Sequence, residues 1–184
     1  MQQNSFRIIA GQWRGRRLPF PANTTVRPTG DRVRETVFNW LQPYVSGARV
    51  LDLFAGTGAL GLEALSRGAA NVTFVEKDPR LSVALKRNLA TVNAQAAVIS
   101  ADVMEWLQRN ASSWNIIFLD PPYPANLWLT VFELLRNKGL RDGTLIYTEQ
   151  PAGDPMLNLP SDFAVLKERT AGQVRFMLLR YEPV

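Results

Sequence analysis

Val50-Leu51-Asp52-Leu53-Phe54-Ala55-Gly56-Thr57-Gly58-Ala59-Leu60-Gly61 places an acid inside an apolar strand, then a glycine-rich turn, then the start of a helix. Outward from this stretch the same alternation repeats. Strands are expected at Val50–Phe54, Val72–Glu76, Ala97–Ser100 and Ile116–Asp120, separated by helices at Ala59–Arg67, Pro79–Val92 and Val103–Arg109. Alternation of this kind predicts a parallel sheet with right-handed crossovers and helices on both faces. An amphipathic helix around Trp128–Lys138 and a strand at Thr144–Glu149 follow. Two closing strands, Ala164–Arg169 and Val174–Tyr181, are joined by Ala171-Gly172-Gln173 and read as an antiparallel hairpin. The fold expected is α/β and Rossmann-like, with a central, mostly parallel seven-stranded sheet and an antiparallel C-terminal strand.

Upstream of the sheet, 6–10 and 15–20 flank Gly11-Gln12 and predict a hairpin or extended arm that is an appendage. Pro19, Pro21 and Pro28 punctuate a loop, after which Thr29 or Asp31 caps a helix. Its apolar positions Val33, Val37, Trp40 and Leu41 recur at helical spacing, and Pro43 and Gly47 end it. The expected division is therefore an arm over 1–28 and a main domain over 29–184. With 184 residues, 46% of them hydrophobic and 20% charged, the chain is long enough to bury a real core as one compact domain.

The longest stretch without Asp, Glu, Lys or Arg is the fourteen residues Asn88–Ala101, short of the roughly twenty apolar residues of a spanning helix. No basic-then-apolar leader opens the chain, so a cytoplasmic protein away from membranes is expected. Cysteine and histidine are both absent. That removes disulfides, thiolate nucleophiles, Cys/His zinc sites and every imidazole base, and no metal is expected. The chemistry must rest on carboxylates, hydroxyls, backbone groups or a cofactor.

Formal charge is +5, but it is unevenly placed. Residues 1–34 hold seven arginines (Arg7, Arg14, Arg16, Arg17, Arg27, Arg32, Arg34) against Asp31 alone, which makes that segment +6 and the remainder −1. Guanidinium groups bind phosphates in bidentate fashion and stack on bases. An arginine-only segment carrying Phe6 and Trp13 therefore points to nucleic acid, against the alternative of a solvated basic tail.

Gly56-x-Gly58-x-x-Gly61 matches a dinucleotide fingerprint, and the glycines would let a ligand approach the backbone closely. Two features separate nicotinamide from another adenosyl cofactor. Asp52, an anion four residues ahead of the loop, is poorly placed against a pyrophosphate and well placed against an ammonium group. A dehydrogenase would also need a second nucleotide-binding half and a substrate domain, for which the chain after the loop is too short. S-adenosylmethionine suits both features: a cationic sulfonium and ammonium near Asp52, a ribose diol for Glu76, and an adenine amine for Asp102. Taken singly, Asp102 reads equally as a helix cap and Glu76 as a strand-end residue. Three acids at three successive strand ends, on the edge where open parallel sheets bind ligands, point together to a site.

The fourth strand runs into Asp120-Pro121-Pro122-Tyr123. This tetrapeptide resembles the active-site motif of methyltransferases that modify exocyclic or amide nitrogens. A base amine is a poor nucleophile until its hydrogens are held, and the Asp120 carboxylate and Pro121 carbonyl can accept them. Two prolines stiffen the turn, and Tyr123 can stack on an extruded base.

The resemblance extends along the chain. Arg7-Ile8-Ile9-Ala10-Gly11-Gln12-Trp13-Arg14-Gly15-Arg16-Arg17-Leu18, then Arg27-Pro28-Thr29-Gly30-Asp31-Arg32-Val33-Arg34-Glu35, and finally Ala171-Gly172-Gln173-Val174 are similar to the bacterial RsmD family. These enzymes use S-adenosylmethionine to methylate N2 of guanine 966 in 16S ribosomal RNA. Ala10 and Gly30 stand where glycine and threonine are expected, outside the chemistry.

The resemblance implies a class I methyltransferase fold and no metal. It implies that Asp52, Phe54, Ala55, Gly56, Thr57, Gly58, Gly61, Glu76 and Asp102 with Val103 meet the cofactor, which leaves as S-adenosylhomocysteine. Asp120, Pro121, Pro122 and Tyr123 would meet the target amine. Arg7, Trp13, Arg14, Arg16, Arg17, Arg27 and Arg32 would meet 16S rRNA, within the small subunit or its assembly intermediate, with the enzyme a monomer. The tetrapeptide itself does not separate guanine N2 from adenine N6 on DNA or RNA. A nucleic-acid-binding module without catalysis stands as the alternative outside that class. The helix entered at Thr29 is expected to bring its N–H groups toward the cofactor carboxylate.

Overall fold

A computed structural model describes residues 4–22, 29–121, 127–138 and 140–183. A two-stranded antiparallel ribbon, β1 (Asn4–Arg7) and β2 (Arg17–Phe20), precedes helix α1 (Asp31–Val45). The alternating body follows as β3 (Arg49–Leu53), α2 (Ala59–Ser66), β4 (Asn71–Glu76), α3 (Pro79–Thr91), β5 (Ala97–Ser100), α4 (Val103–Arg109), β6 (Ile116–Leu119) and α5 (Leu127–Lys138). It closes with β7 (Leu145–Pro151), β8 (Phe163–Ala171) and β9 (Val174–Tyr181). The seven-stranded sheet has the order β5-β4-β3-β6-β7-β9-β8. All pairings are parallel except those of β9, which lies antiparallel between β7 and β8. From β3 the chain winds outward to β5 and then returns to the other side of β3 at β6. That reversal is a topological switch point at the carboxyl ends of β3 and β6, the usual ligand position in open α/β sheets.

Side-chain alternation sorts the sheet into two cores. On one face Val50, Val72, Phe74, Ile116, Phe118, Leu145 and Tyr147 pack with α1, α2 and α3. On the other, Leu51, Leu53, Val75, Ile117, Leu119 and Ile146 pack with α4 and α5. Every residue of α2 is buried. A helix apolar all round must be covered on all sides, and the N-terminal ribbon supplies the outer cover. Phe6, Ile8, Leu18 and Phe20 are buried within the first core, while Ser5, Arg7, Arg17 and Pro19 alternate to the outside.

The ribbon is therefore a packed face of the body and not the appendage expected above. Polar anchors fix it there. Ile9 and Ala10 donate their amides to the Glu63 carboxylate at 2.8 and 3.0 Å, and Gln12 donates to the Ser66 carbonyl at 2.8 Å. Gly11 has φ +84°, and a side chain there would bring its Cβ to 1.9 Å from the Ser66 carbonyl oxygen.

Among the element ends that differ from expectation, two have a clear cause in the packing. Helix α1 runs through Pro43 to Val45, because Val45 is anchored in the core and only two helical residues lie beyond the proline. Strand β7 continues to Pro151, because β9 pairs with it as far as Pro151 opposite Val174. Among the described residues no helix is long and apolar enough to cross a membrane.

Candidate active site

Strand parity decides which side chains meet at the carboxyl edge. Asp52 alternates with Leu51 and Leu53, so it lies on the face of Val50; Glu76 likewise follows Phe74, and Glu149 follows Tyr147. Asp120, one residue past β6, has the parity of Phe118. Four acids, Asp52, Glu76, Asp120 and Glu149, therefore share one face of four neighbouring strands.

Asp52 is buried and accepts the Gly61 amide at 3.0 Å. Gly61 is required for that approach: a Cβ would sit 2.2 Å from the Phe74 ring and 2.9 Å from the Asp52 carboxylate. Burial holds the Asp52 carboxyl well above the usual carboxylate range, the Gly61 amide pulls the other way, and the charge of Glu76 adds to the rise. Gly58, at φ +77°, begins α2 in the left-handed conformation, with its Cα facing Leu85 of α3. Two of the three glycines expected to admit a ligand thus serve chain reversal and helix–sheet packing.

Phe54 adopts φ +58° where β3 ends. A bulky residue in the left-handed region costs about 1–2 kcal/mol, and strain of this kind concentrates at ligand sites. The turn is held by the Ala55 amide on the Val75 carbonyl at 3.0 Å and the Gly58 amide on the Ala55 carbonyl at 2.7 Å. Glu76 clamps it to the next loop: one carboxylate oxygen accepts the Gly56 amide and the other the Asp78 amide, both at 2.7 Å. Thr57 is buried inside the turn.

Asp102 caps α4, accepting the Met104 amide at 2.9 Å, while its other oxygen meets the exposed Lys77 ammonium at 3.2 Å. Burial alone would raise its carboxyl, but the Lys77 hydrogen bond and the Met104 and Glu105 amides outweigh it and hold it below the usual range. Val103 packs in the second core.

Asp120 follows β6 directly and precedes buried Pro121. Its carboxyl is pushed well above the ordinary range, first by burial, then by the charges of Glu149 and Asp52. Pro122, Tyr123 and Arg27 lie outside the described residues.

Glu149 was not among the residues singled out from sequence. It is buried, and its Oε1 accepts the Tyr147 hydroxyl and, at 3.2 Å, the Thr29 hydroxyl. Burial raises its carboxyl while the two hydroxyls work against the rise. Thr29 belongs to the segment entering α1, so that segment reaches the carboxyl edge at Glu149, and Gly30, not Thr29 or Asp31, caps the helix. The available signal was an acid at the end of an apolar strand, the same signal that exposes Asp52.

The arginines divide. Arg34 is fully buried and donates to the carbonyls of Thr29 at 3.1 Å and Arg7 at 2.8 Å and to Asp31 at 2.6 Å, with Glu63 at 3.7 Å. It braces the ribbon against α1 and α2 and belongs to the interior, not to the basic surface. Arg7 pairs with Asp31 at 3.2 Å, and Arg16 donates to the Thr91 carbonyl at 3.3 Å. Arg14, Arg17 and Arg32 are exposed and make no side-chain bond among the described residues. Trp13 is half-buried against the first core.

The chain matches the family described as Conserved hypothetical protein 95 over residues 6–180. It is 46% identical over 178 residues to ribosomal RNA small subunit methyltransferase D of Escherichia coli strain K12, covering 96% of this chain and 90% of that one. To the protein of the same name from Haemophilus influenzae it is 45% identical, covering 94% and 92%. A solved Escherichia coli structure described as a candidate methyltransferase superposes with a TM-score of 0.91 at 44% identity, covering 98% of this chain and all of that one.

Proposed function

The chain belongs to the family of ribosomal RNA small subunit methyltransferase D, and on that premise we propose that this methyltransferase moves a methyl group from S-adenosylmethionine to the exocyclic N2 of a guanine in 16S ribosomal RNA. The observation that supports the reading best is the shared face of Asp52 and Asp120 at the switch between β3 and β6. Both carboxylates are pushed toward neutrality, first by burial and then by neighbouring acids, Glu76 for Asp52 and Glu149 and Asp52 for Asp120, and neither has a basic side chain among its described partners. Such a pocket is incomplete without a cation, and a cationic ligand fits it.

S-adenosylmethionine, when bound, supplies a methyl on a positively charged sulfur, where the carbon–sulfur bond breaks with its electron pair kept by sulfur. This chain's residues hold and orient. Asp52 faces the positive end of the ligand. Glu76 spends one lone pair of each oxygen on the Gly56 and Asp78 amides and retains the others for a ribose diol. Asp102, whose Oδ1 caps α4 and whose Oδ2 meets the exposed Lys77 ammonium, would offer a remaining lone pair at the rim.

The Asp120 carboxylate and the Pro121 carbonyl accept the hydrogens of the base amine, which fixes its lone pair in line with the transferred carbon. As the new N–C bond forms, the surplus proton on nitrogen passes to Asp120 or water. Alignment and preorganised acceptors account for most of the rate. Arg7, Trp13, Arg14, Arg16, Arg17, Arg27 and Arg32 form the contact to RNA phosphates and bases.

The test is transfer of labelled methyl to small-subunit rRNA lacking the modification, naked and in assembled particles, followed by digestion to nucleosides. Label in N2-methylguanosine is expected. Label in N6-methyladenosine, or none, contradicts the reading.

A further inference from the structure

Asp120 and the Pro121 carbonyl accept hydrogens from an amine, and guanine and adenine both carry one. Discrimination must come from the next group along the edge that meets the ring nitrogen beside that amine. In guanine this position, N1, is a donor; in adenine it is an acceptor. On the reading above, the target base is unstacked and its Watson–Crick edge faces the protein.

The sheet places a second acid there. Leu119 pairs with Thr148 in the parallel ladder, so the next step along both strands sets Asp120 beside Glu149. Neighbouring strands lie about 4.8 Å apart, and the two carboxyls share a face and sense each other's charge. Glu149 is also oriented in advance. Oε1 is occupied by the hydroxyls of Tyr147 and Thr29, while Oε2 makes no hydrogen bond among the described residues. Burial raises the Glu149 carboxyl, and the two hydroxyls work against that rise in favour of the ionised, acceptor-only form.

We propose that Glu149 is the guanine-selecting residue, its Oε2 accepting the N1 hydrogen of the target base while Asp120 and Pro121 hold the N2 hydrogens. The inference rests on the guanine-N2 reading above. Two side-by-side donors on the base meet two side-by-side acceptors on the sheet. A purine with a lone pair at N1 would set it against a buried carboxylate, leaving both unpaired, and a site built around a hydrogen bond strongly rejects a substrate lacking the partner.

The test uses small-subunit rRNA assembled by ligation, with the target guanosine either kept or replaced by 2,6-diaminopurine riboside. The replacement keeps the 2-amine and lacks the N1 hydrogen. Wild-type enzyme should prefer guanine in kcat/KM by roughly 10- to 100-fold, the discrimination of one good base contact. Glu149→Gln, whose amide can donate to a bare N1, should cut that preference several-fold or more. Equal use of both bases by the wild type, or an unchanged ratio in the variant, overturns the proposal.

Should Glu149→Gln not fold, Tyr147→Phe keeps the carboxylate and removes one hydroxyl that fixes it. A reduced ratio is expected there, and an unchanged ratio again overturns the proposal. Absence of label on N2 of the guanine substrate with the wild type would instead reject the guanine-N2 reading itself, so the two failures are distinguishable.

Discussion

Asp120 sits where its own charge is opposed by burial, by Glu149 and by Asp52, and its work requires that charge. Replacing it with alanine removes the acceptor proposed for the amine without touching the glycine turn proposed to hold the cofactor. Turnover should fall on the order of 100-fold or more, as for the loss of one preorganised transition-state contact, with cofactor affinity by titration calorimetry largely intact. Near-normal turnover would contradict the mechanism.

The pH dependence follows from the sign of the shift. The ionised form is active and the carboxyl lies above its ordinary range, so kcat/KM of wild type should fall as pH drops through that raised value. An Asp120→Asn variant should lose the Asp120 share of this acid limb, leaving only what Asp52 and Glu149, also raised by burial, contribute. Asp52, Glu76 and Asp120 drew notice in the sequence because each is an acid within or at the end of an apolar strand. Glu149 carries the same mark but draws no motif around it. The bracing role of Glu63 and Arg34 was not legible, since beside local partners they bind the amides of Ile9 and Ala10 and the carbonyl of Arg7, which only the fold brings to them.

At the scale of elements, α2 is the hinge of the architecture. Its start forms the glycine turn, its inner side rests on β3 and β4, and its outer side receives the ribbon through Glu63 and Ser66. Gly61→Ala would drive a methyl into Phe74 and the Asp52 carboxylate. A loss of about 1–3 kcal/mol in denaturant unfolding is expected for such overpacking, and an unchanged midpoint would show that the helix can shift freely.

The alternation of strands and helices was readable because each apolar run has one period and ends at a turn residue. Even the bounds of β5 and α4 fall where the pattern puts them. The docking of the ribbon was not readable. Its own alternation, Phe6 and Ile8 against Leu18 and Phe20, shows that one side is apolar but not which surface covers it.

At the scale of the molecule, the separation of charge matters more than its sum. Arg34 is spent in the interior, yet the outer side of the ribbon keeps Arg14, Arg16 and Arg17 exposed on a rigid platform joined to the same helix that starts at the cofactor turn. A fixed platform orients a bound RNA relative to the carboxyl edge, which a loose tail would not. Changing these three arginines to alanine should weaken RNA binding and reduce the slope of log affinity against log salt by about 2–3, near one counterion per lost phosphate contact. An unaltered slope would remove the ribbon from the RNA surface.

The acid-lined edge between β3 and β6 is the proposed meeting point of donor and base. A crystal structure of the protein with S-adenosylhomocysteine tests it most directly. The prediction is that the ligand's sulfur lies over that edge, between Asp52 and Asp120, with Glu76 on the ribose. A sulfur bound elsewhere, out of reach of any amine held by Asp120, would contradict it.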